Sequence, residues 1–194
     1  MPPLAILLLA AGSSRRMAPK DKLLEMVAGQ PLLSLISRRA AVTGLPCYVT
    51  LPDLNHPRAD WIGTATPVLV PGAAEGMAAS IRAGISALPD HIEAVMILPT
   101  DMPEIESQDL THMAAQYKGR DGPILRACAS DGTPGHPVLF PRRYFDSLLA
   151  LKGDHGARAI LAGTPVQYVA LPGQRATTDL DTAEAWAKWR ARAN

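Results

Sequence analysis

The sequence predicts a three-layer α/β/α sandwich built on a mainly parallel sheet. Short apolar runs alternate with helix-spaced segments along almost the whole chain, which is the rhythm of consecutive βα units. Most of those apolar runs are continuous rather than alternating, as strands are when helices cover both faces of their sheet. With 194 residues, and with neither an internal repeat nor a linker, residues 1–194 read as one domain.

In chain order the strand segments are LAILLLA (4–10), CYVTL (47–51), VLV (68–70), AVMILP (94–99), GPILRA (122–127), HPVLFP (136–141) and VQYVAL (166–171). Between them PLLSLISRRAAVTG (31–44), GMAASIRAGISAL (76–88), SQDLTHMAAQYKG (107–119), PRRYFDSLLALKG (141–153) and DHGARAILAG (154–163) have helical spacing, several with a glycine stop. The last segment, DTAEAWAKWRARAN (181–194), offers Asp181 or Thr182 as N-cap and places Lys and Arg toward its end, as the helix dipole prefers. The 18 prolines are scattered at element edges, so they do not argue against this order.

A net charge of +1 excludes a chain that holds nucleic acid by overall electrostatics. The two cysteines, Cys47 and Cys128, have neither metal spacing nor a disulfide framework, which suits small core residues in a reducing compartment. MPPLAILLLAAG has the apolar run of a signal peptide but no basic segment before it. No run approaches the roughly 18 apolar residues of a membrane span. The expectation is a cytoplasmic enzyme-sized domain without a nucleic-acid or membrane partner.

In such sheets ligands bind beyond the carboxyl ends of the strands. That rule nominates the loops after Leu9, Val70, Leu98 and Leu171. The first, AAGSSRR, is followed by Lys20 and Lys22, so four cations fall within eight positions of a nearly neutral chain. Ala10, Ala11 and Gly12 have no bulk, so the backbone can approach a ligand and present N–H groups. Oriented N–H groups beside Arg and Lys suit a polyphosphate. The loop is neither a P-loop nor a three-glycine dinucleotide fingerprint.

TDMPEI puts Asp101 at the end of a hydrophobic strand, where an unpartnered carboxylate is costly. It either caps the next segment or binds a cation, and opposite a phosphate loop a divalent ion is the natural partner. Asp179 and Asp181 project to the same side of an extended segment; one of them is a second ligand, or Asp181 caps the last helix. SDGTPGHPVLF sets His136 on a strand lip, and KGDHGARAIL clusters Asp154, His155 and Arg158 around glycines. Neither stretch has zinc spacing, and no nucleophile elbow occurs.

LAAGSSRRMAPKDKLL followed by AGQPLL resembles the signature of the molybdenum-cofactor type of nucleotidyltransferase. EGMAASIRAGI, LPTDMP, GTPGHPVLF, GDHGARAIL and DLDTAEAW are similar, in order, to the molybdenum cofactor cytidylyltransferase branch, over about residues 4 to 187. The resemblance implies a Rossmann-like nucleotidyltransferase fold and transfer of CMP from CTP to the phosphate of molybdopterin, with release of pyrophosphate. It implies a triphosphate cradle at Leu9, Ala10, Ala11, Gly12, Ser13, Ser14, Arg15 and Arg16, with Arg16, Lys22 and Asp101 as the catalytic groups. Gly76, Ser80 and Thr100 fall to the nucleotide, and Asp101 with Asp181 or Asp179 to Mg²⁺ or Mn²⁺. Gly135, His136, Asp154, Gly156 and Arg158 fall to the acceptor. A recipient molybdoenzyme or its chaperone is the implied partner.

GTP in place of CTP, or a sugar or alditol phosphate as acceptor, would share the first loop. The latter leaves GTPGHP and GDHGAR without a role. A carrier that delivers the molybdenum cofactor without catalysis would need no triphosphate cradle. Two positions depart from the family pattern. Ala18 stands where glycine is usual, which makes a left-handed backbone there costlier, and Ala183 stands where proline is common at the helix start.

Overall fold

The computed structural model describes residues 3–154 and 156–193. Its strands are β1 (Leu4–Leu9), β2 (Met26–Val27), β3 (Gln30–Pro31), β4 (Cys47–Leu51), β5 (Thr66–Leu69), β6 (Ala94–Pro99), β7 (Ile124–Cys128), β8 (Pro134–Pro141) and β9 (Val166–Ala170). The helices are α1 (Leu32–Val42), α2 (Met77–Ser86), α3 (Ser107–Ala115), α4 (Phe145–Leu149), α5 (Arg158–Ala162) and α6 (Ala183–Ala193). Seven strands form one sheet in the order β5-β4-β1-β6-β8-β7-β9. All neighbours are parallel except at β8, which runs against both β6 and β7.

The continuous apolar runs are explained by the two faces of this sheet. Leu4, Ile6 and Leu8 of β1 enter one hydrophobic cluster with Leu32, Leu110 and Trp186 from α1, α3 and α6. Ala5 and Leu7 enter a second, on the opposite face, with Ile81 and Ile85 of α2 and Phe145 and Leu148 of α4. Strand side chains alternate between faces, so a strand covered on both must be apolar at every position. Fully burying each such side chain contributes about 1.5–3 kcal/mol. Three layers result, as the sequence predicts.

Some details differ from expectation. β2 and β3 form an unforeseen hairpin through Ala28 (φ 49°) and Gly29 (φ 80°), and two positive φ values in a row make the tight turn whose twist suits a hairpin. Two-residue strands carry no periodicity to read. The helix expected from Asp154 begins only at Arg158. Ala18 has φ −52° and ψ 138°, ordinary backbone for alanine, so the strain expected there is absent. Among the described residues no helix is long and apolar enough to cross a membrane.

Parallel strands carry their carboxyl ends to one edge of the sheet, and the reversed β8 delivers its first residues there too. The loops after β1 and β6, the start of β8 and the segment leading into α6 meet at that edge.

Candidate active site

The loop after β1 is shaped by a side chain from elsewhere. Arg58, only 2% exposed, lies in a 3₁₀ turn at Pro57–Trp61. Its guanidinium donates to the carbonyls of Ala10 (2.5 Å) and Gly12 (2.7 Å), to Ser14 Oγ (3.0 Å) and to both carboxylate oxygens of Asp21 (2.7 Å each). In a trans peptide the N–H points opposite to the C=O. Fixing the Ala10 and Gly12 carbonyls on Arg58 therefore turns the N–H groups of Ala11 and Ser13 the other way. Among the described residues the N–H groups of Gly12, Ser13 and Ser14 have no partner, as a loop needs if an anion is to fill it. Ser14 completes the turn with φ 50°. Burial would raise the Asp21 pKa, but the Arg58 hydrogen bonds and charge prevail and hold it below the ordinary aspartate value.

Two threonines tie this loop to its neighbours. Thr100 Oγ1 donates to the Leu9 carbonyl at 2.9 Å, and the Ala10 N–H donates to Thr50 Oγ1 at 3.0 Å. The second bond corrects the expectation that Ala10 presents its N–H to a ligand: Ala10 is fully buried and its donor is used.

Asp101 follows β6, and its carbonyl accepts from the Leu180 N–H at 2.9 Å. That bond draws the segment carrying Asp179 and Asp181 across the strand end. Lys22 Nζ donates to Asp101 Oδ2 (2.5 Å) and to Asp181 Oδ1 (2.6 Å), and Arg16 Nη2 reaches Asp181 Oδ2 (2.6 Å). Thr182 caps α6, accepting from the Ala185 N–H at 3.2 Å, so the Asp181 carboxylate is left for the cleft. Burial pulls the Lys22 pKa down, yet Asp101 and Asp181 outweigh it and raise it. Burial pushes Asp181 up, but Lys22 and Arg16 bring it below the usual value. Asp179 is raised by burial and by the charges of Asp101 and Asp181. The other carboxylate oxygen of Asp101, Oδ1, is buried without a hydrogen-bond partner among the described residues.

Across the cleft, Gly135 is required by its neighbour: a Cβ there would stand 1.8 Å from the Ala176 carbonyl oxygen. The same carbonyl accepts from the His136 N–H at 2.8 Å, and Arg126 Nε donates to the Gly135 carbonyl at 3.0 Å. His136 is half-buried and its Nδ1 has no partner among the described residues. Burial, then the cations Arg126 and Arg158, depress its pKa to about 4, with Asp101 opposing. Its imidazole is neutral at pH 7.

In the unfolded chain His136 titrates near 6.5, whereas in the fold it takes up a proton only near 4. Between those values the unfolded state binds more protons, so the stability contribution of neutral His136 rises with pH across this window and is lost on acidification. The melting temperature is expected to fall as pH drops from about 6.5 to about 4, and less steeply in His136→Gln. Superimposable pH profiles of the two proteins would contradict this.

A cleft of about 850 Å³ gathers these groups, walled by Leu9, Gly12, Ser13, Ser14, Arg15, Arg16, Lys22, Gly76, Ser80, Thr100, Asp101, Gly135, His136, Asp154, Arg158, Asp179 and Asp181. Ala10, Ala11 and Gly156 do not wall it. Gly156 (φ 55°) packs against Met77, where a Cβ would meet Sδ at 2.8 Å. Asp154 Oδ1 accepts from the Met77 N–H at the start of α2 (3.2 Å), and a Cβ on Gly76 (φ 120°) would lie 2.7 Å from that oxygen. Asp154 and Gly156 thus hold the start of α2, a role the sequence reading did not give them. His155 lies outside the described residues. Arg58, Thr50 and Arg126 are the additions to the sequence-derived set.

Residues 6–171 match the model of the MobA-like NTP transferase domain. The chain belongs to that family. It is a nucleotidyltransferase of the MobA-like type. The purine catabolism protein PucB of Bacillus subtilis is 28% identical over 164 residues, which covers 79% of this chain and 78% of that protein. The crystal structure of Rv0371c from Mycobacterium tuberculosis superposes with TM-score 0.83 at 23% identity, covering 96% of each chain. A manganese complex of the same protein gives 0.80 at 22% identity, over 95% of this chain and 96% of that one. A CMP:2-keto-3-deoxy-manno-octonic acid synthetase complexed with CTP gives 0.74 at 14% identity, over 98% of each chain. These likenesses establish the fold.

Proposed function

We propose that this MobA-like domain transfers CMP from CTP to the terminal phosphate of molybdopterin, releasing pyrophosphate and forming a cytosine dinucleotide. The observation that carries the reading is a backbone loop whose N–H groups have no partner among the described residues, on the same cleft as a carboxylate oxygen that no described residue satisfies. A triphosphate suits the loop, and a hard divalent cation suits the orphaned oxygen. CTP and molybdopterin are taken from the order of motifs that resembles the cytidylyltransferase branch. That the same fold houses CTP in the octonic acid synthetase complex supports the nucleotide.

Asp101 and Asp181 would hold Mg²⁺ or Mn²⁺. The manganese complex of Rv0371c supports a divalent ion. Among the described residues no three His, Cys, Asp or Glu side chains are arranged to hold a metal alone, and phosphate or water oxygens would complete the shell of an ion held by two aspartates. When bound, the ion neutralises charge on the phosphate oxygens.

Lys22 now neutralises the two carboxylates. On nucleotide entry its ammonium would turn to the phosphates, with Arg16, to offset the charge of departing pyrophosphate. The acceptor phosphate attacks the α-phosphorus and the bond to the β-phosphate oxygen breaks. The protein positions and neutralises, and need form no bond itself.

The test is pyrophosphate release by purified protein given molybdopterin, Mg²⁺ and either CTP or GTP. Release with CTP alone is expected. Release with GTP alone would overturn the base, and release only with a sugar or alditol phosphate would overturn the acceptor. Tight molybdopterin binding without turnover would make the chain a carrier.

A further inference from the structure

The last helix is tied to the charged centre of the cleft from behind. α6 lies beyond residues 6–171, the span of the family match, and none of its described side chains walls the cleft. Yet two consecutive residues, Trp189 and Arg190, reach the segments that carry the cleft's charges. Trp189 Nε1 donates to Glu104 Oε1 at 3.0 Å, and Glu104 is the third residue after Asp101. Arg190 Nη2 donates to Glu25 Oε2 at 2.9 Å, and Glu25 is the third residue after Lys22. The helix itself begins directly after Asp181 and its cap, Thr182. One helix therefore connects to all three members of the Asp101, Lys22 and Asp181 cluster.

The Glu104 end of this bracket is a fixed post. Arg39 of α1 donates to the carbonyls of Pro103 (2.7 Å) and Ile105 (2.8 Å) and to Glu106 Oε1 (2.5 Å), so the backbone on both sides of Glu104 is held. Glu104 Oε2 also lies 3.3 Å from the hydroxyl of Thr178, the residue before Asp179. Core packing would place α6 less closely. Trp186 is buried, but its Nε1 has no partner among the described residues, and apolar contact is non-directional. The Trp189 bond supplies the direction, because a donor and its acceptor tolerate only a narrow range of distance and angle. The Trp189 ring is in turn held edge-on against Trp186, with 6.1 Å between centroids. Arg190 is 45% exposed, so its pair with Glu25 is the weaker tie.

Two carboxylates serve one cation only while their separation is kept. At the cleft Asp101 and Asp181 are joined by the Lys22 bridge and by the bond from the Leu180 N–H to the Asp101 carbonyl. An ion that displaces Lys22 removes the first of these, and the frame behind the cleft must then hold the pair. We infer that Trp189 is a positioning residue for the cation site: bonded to Glu104, it fixes where α6 begins and hence how far the Asp181 carboxylate stands from Asp101. This role deepens the transferase reading and rests on it for the divalent ion, while the spacing itself is measurable without one.

Trp189→Phe keeps an aromatic ring and removes the donor. With Mn²⁺ alone as probe and free Mn²⁺ read by EPR, its dissociation constant is expected to rise about tenfold or more, the usual cost of losing a partner that orients metal ligands. Glu104→Ala should match it, and the double variant should be no worse than either. Glu104→Gln, which still offers an oxygen to the indole N–H, should bind nearly as the wild type does. Amide hydrogen exchange without metal gives a second reading. In Trp189→Phe the Leu180 amide should accelerate by a larger factor than the Ile6 amide of β1, which bonds the Pro46 carbonyl. Equal acceleration of both amides would mean a general loss of stability and would overturn the proposal, as would unchanged Mn²⁺ affinity in folded Trp189→Phe. Absence of Mn²⁺ binding to the wild type would sink the metal in the transferase reading; a selective Leu180 response would still establish Trp189 as the residue that spaces the two aspartates.

Discussion

Asp101→Ala is expected to lower turnover by roughly 10²–10³-fold, the usual cost of removing one preorganised electrostatic contact from a transition state. Among the described residues the side chain holds no hydrogen bond except that from Lys22, and its backbone bond to Leu180 survives substitution. The fold should therefore persist, and an unchanged melting curve beside lost pyrophosphate release is the expected pair. Lys22→Ala should lose turnover to a similar degree for a different reason. It leaves the Asp101 and Asp181 carboxylates without the ammonium that joins them at 2.5 and 2.6 Å. Two like charges held close draw a divalent cation more strongly, so the variant should bind Mn²⁺ more tightly while turning over less. A lysine variant as active as wild type, or one with weaker metal binding, would contradict this account.

The legible and illegible parts of the molecule divide along a physical line. β1 and β6 were readable because burial on both faces forces every position to be apolar, as Leu4 to Leu8 show. Asp101 was readable because a charge at the end of such a strand needs a reason. The reversal of β8 was not, since an apolar run carries no sign of its direction. Asp154 and Gly156 also carry a structural role that leaves no mark in the sequence, since both meet Met77 at the start of α2. Nor did the sequence separate the cap from the cleft carboxylate in Asp181-Thr182; only the Ala185 bond to Thr182 does that.

Arg58 shows the limit most clearly, and its replacement is expected to have the largest effect on stability. In NHPRADW it looks like any loop arginine, because three of its partners are Ala10, Gly12 and Ser14, more than forty positions away. Two of those contacts are to carbonyls, which leave no sequence signature. Arg58→Ala would strip Asp21 of its charge partner and leave the Ala10 carbonyl buried and unsatisfied. Breaking a buried pair from one side typically costs about 3–5 kcal/mol. The midpoint of urea unfolding should fall accordingly. Arg58→Lys should recover part of the loss, since one ammonium cannot serve two carbonyls, a hydroxyl and both carboxylate oxygens. The functional consequence follows from the same bonds. Once the carbonyls are released, the N–H groups opposite them lose their aim, so nucleotide binding by folded Arg58→Lys should weaken while Asp101 and Lys22 stay in place. Nucleotide affinity measured by calorimetry at a temperature where the lysine variant is fully folded separates the two effects. Wild-type affinity in that variant would mean that Arg58 holds the fold together without shaping the loop.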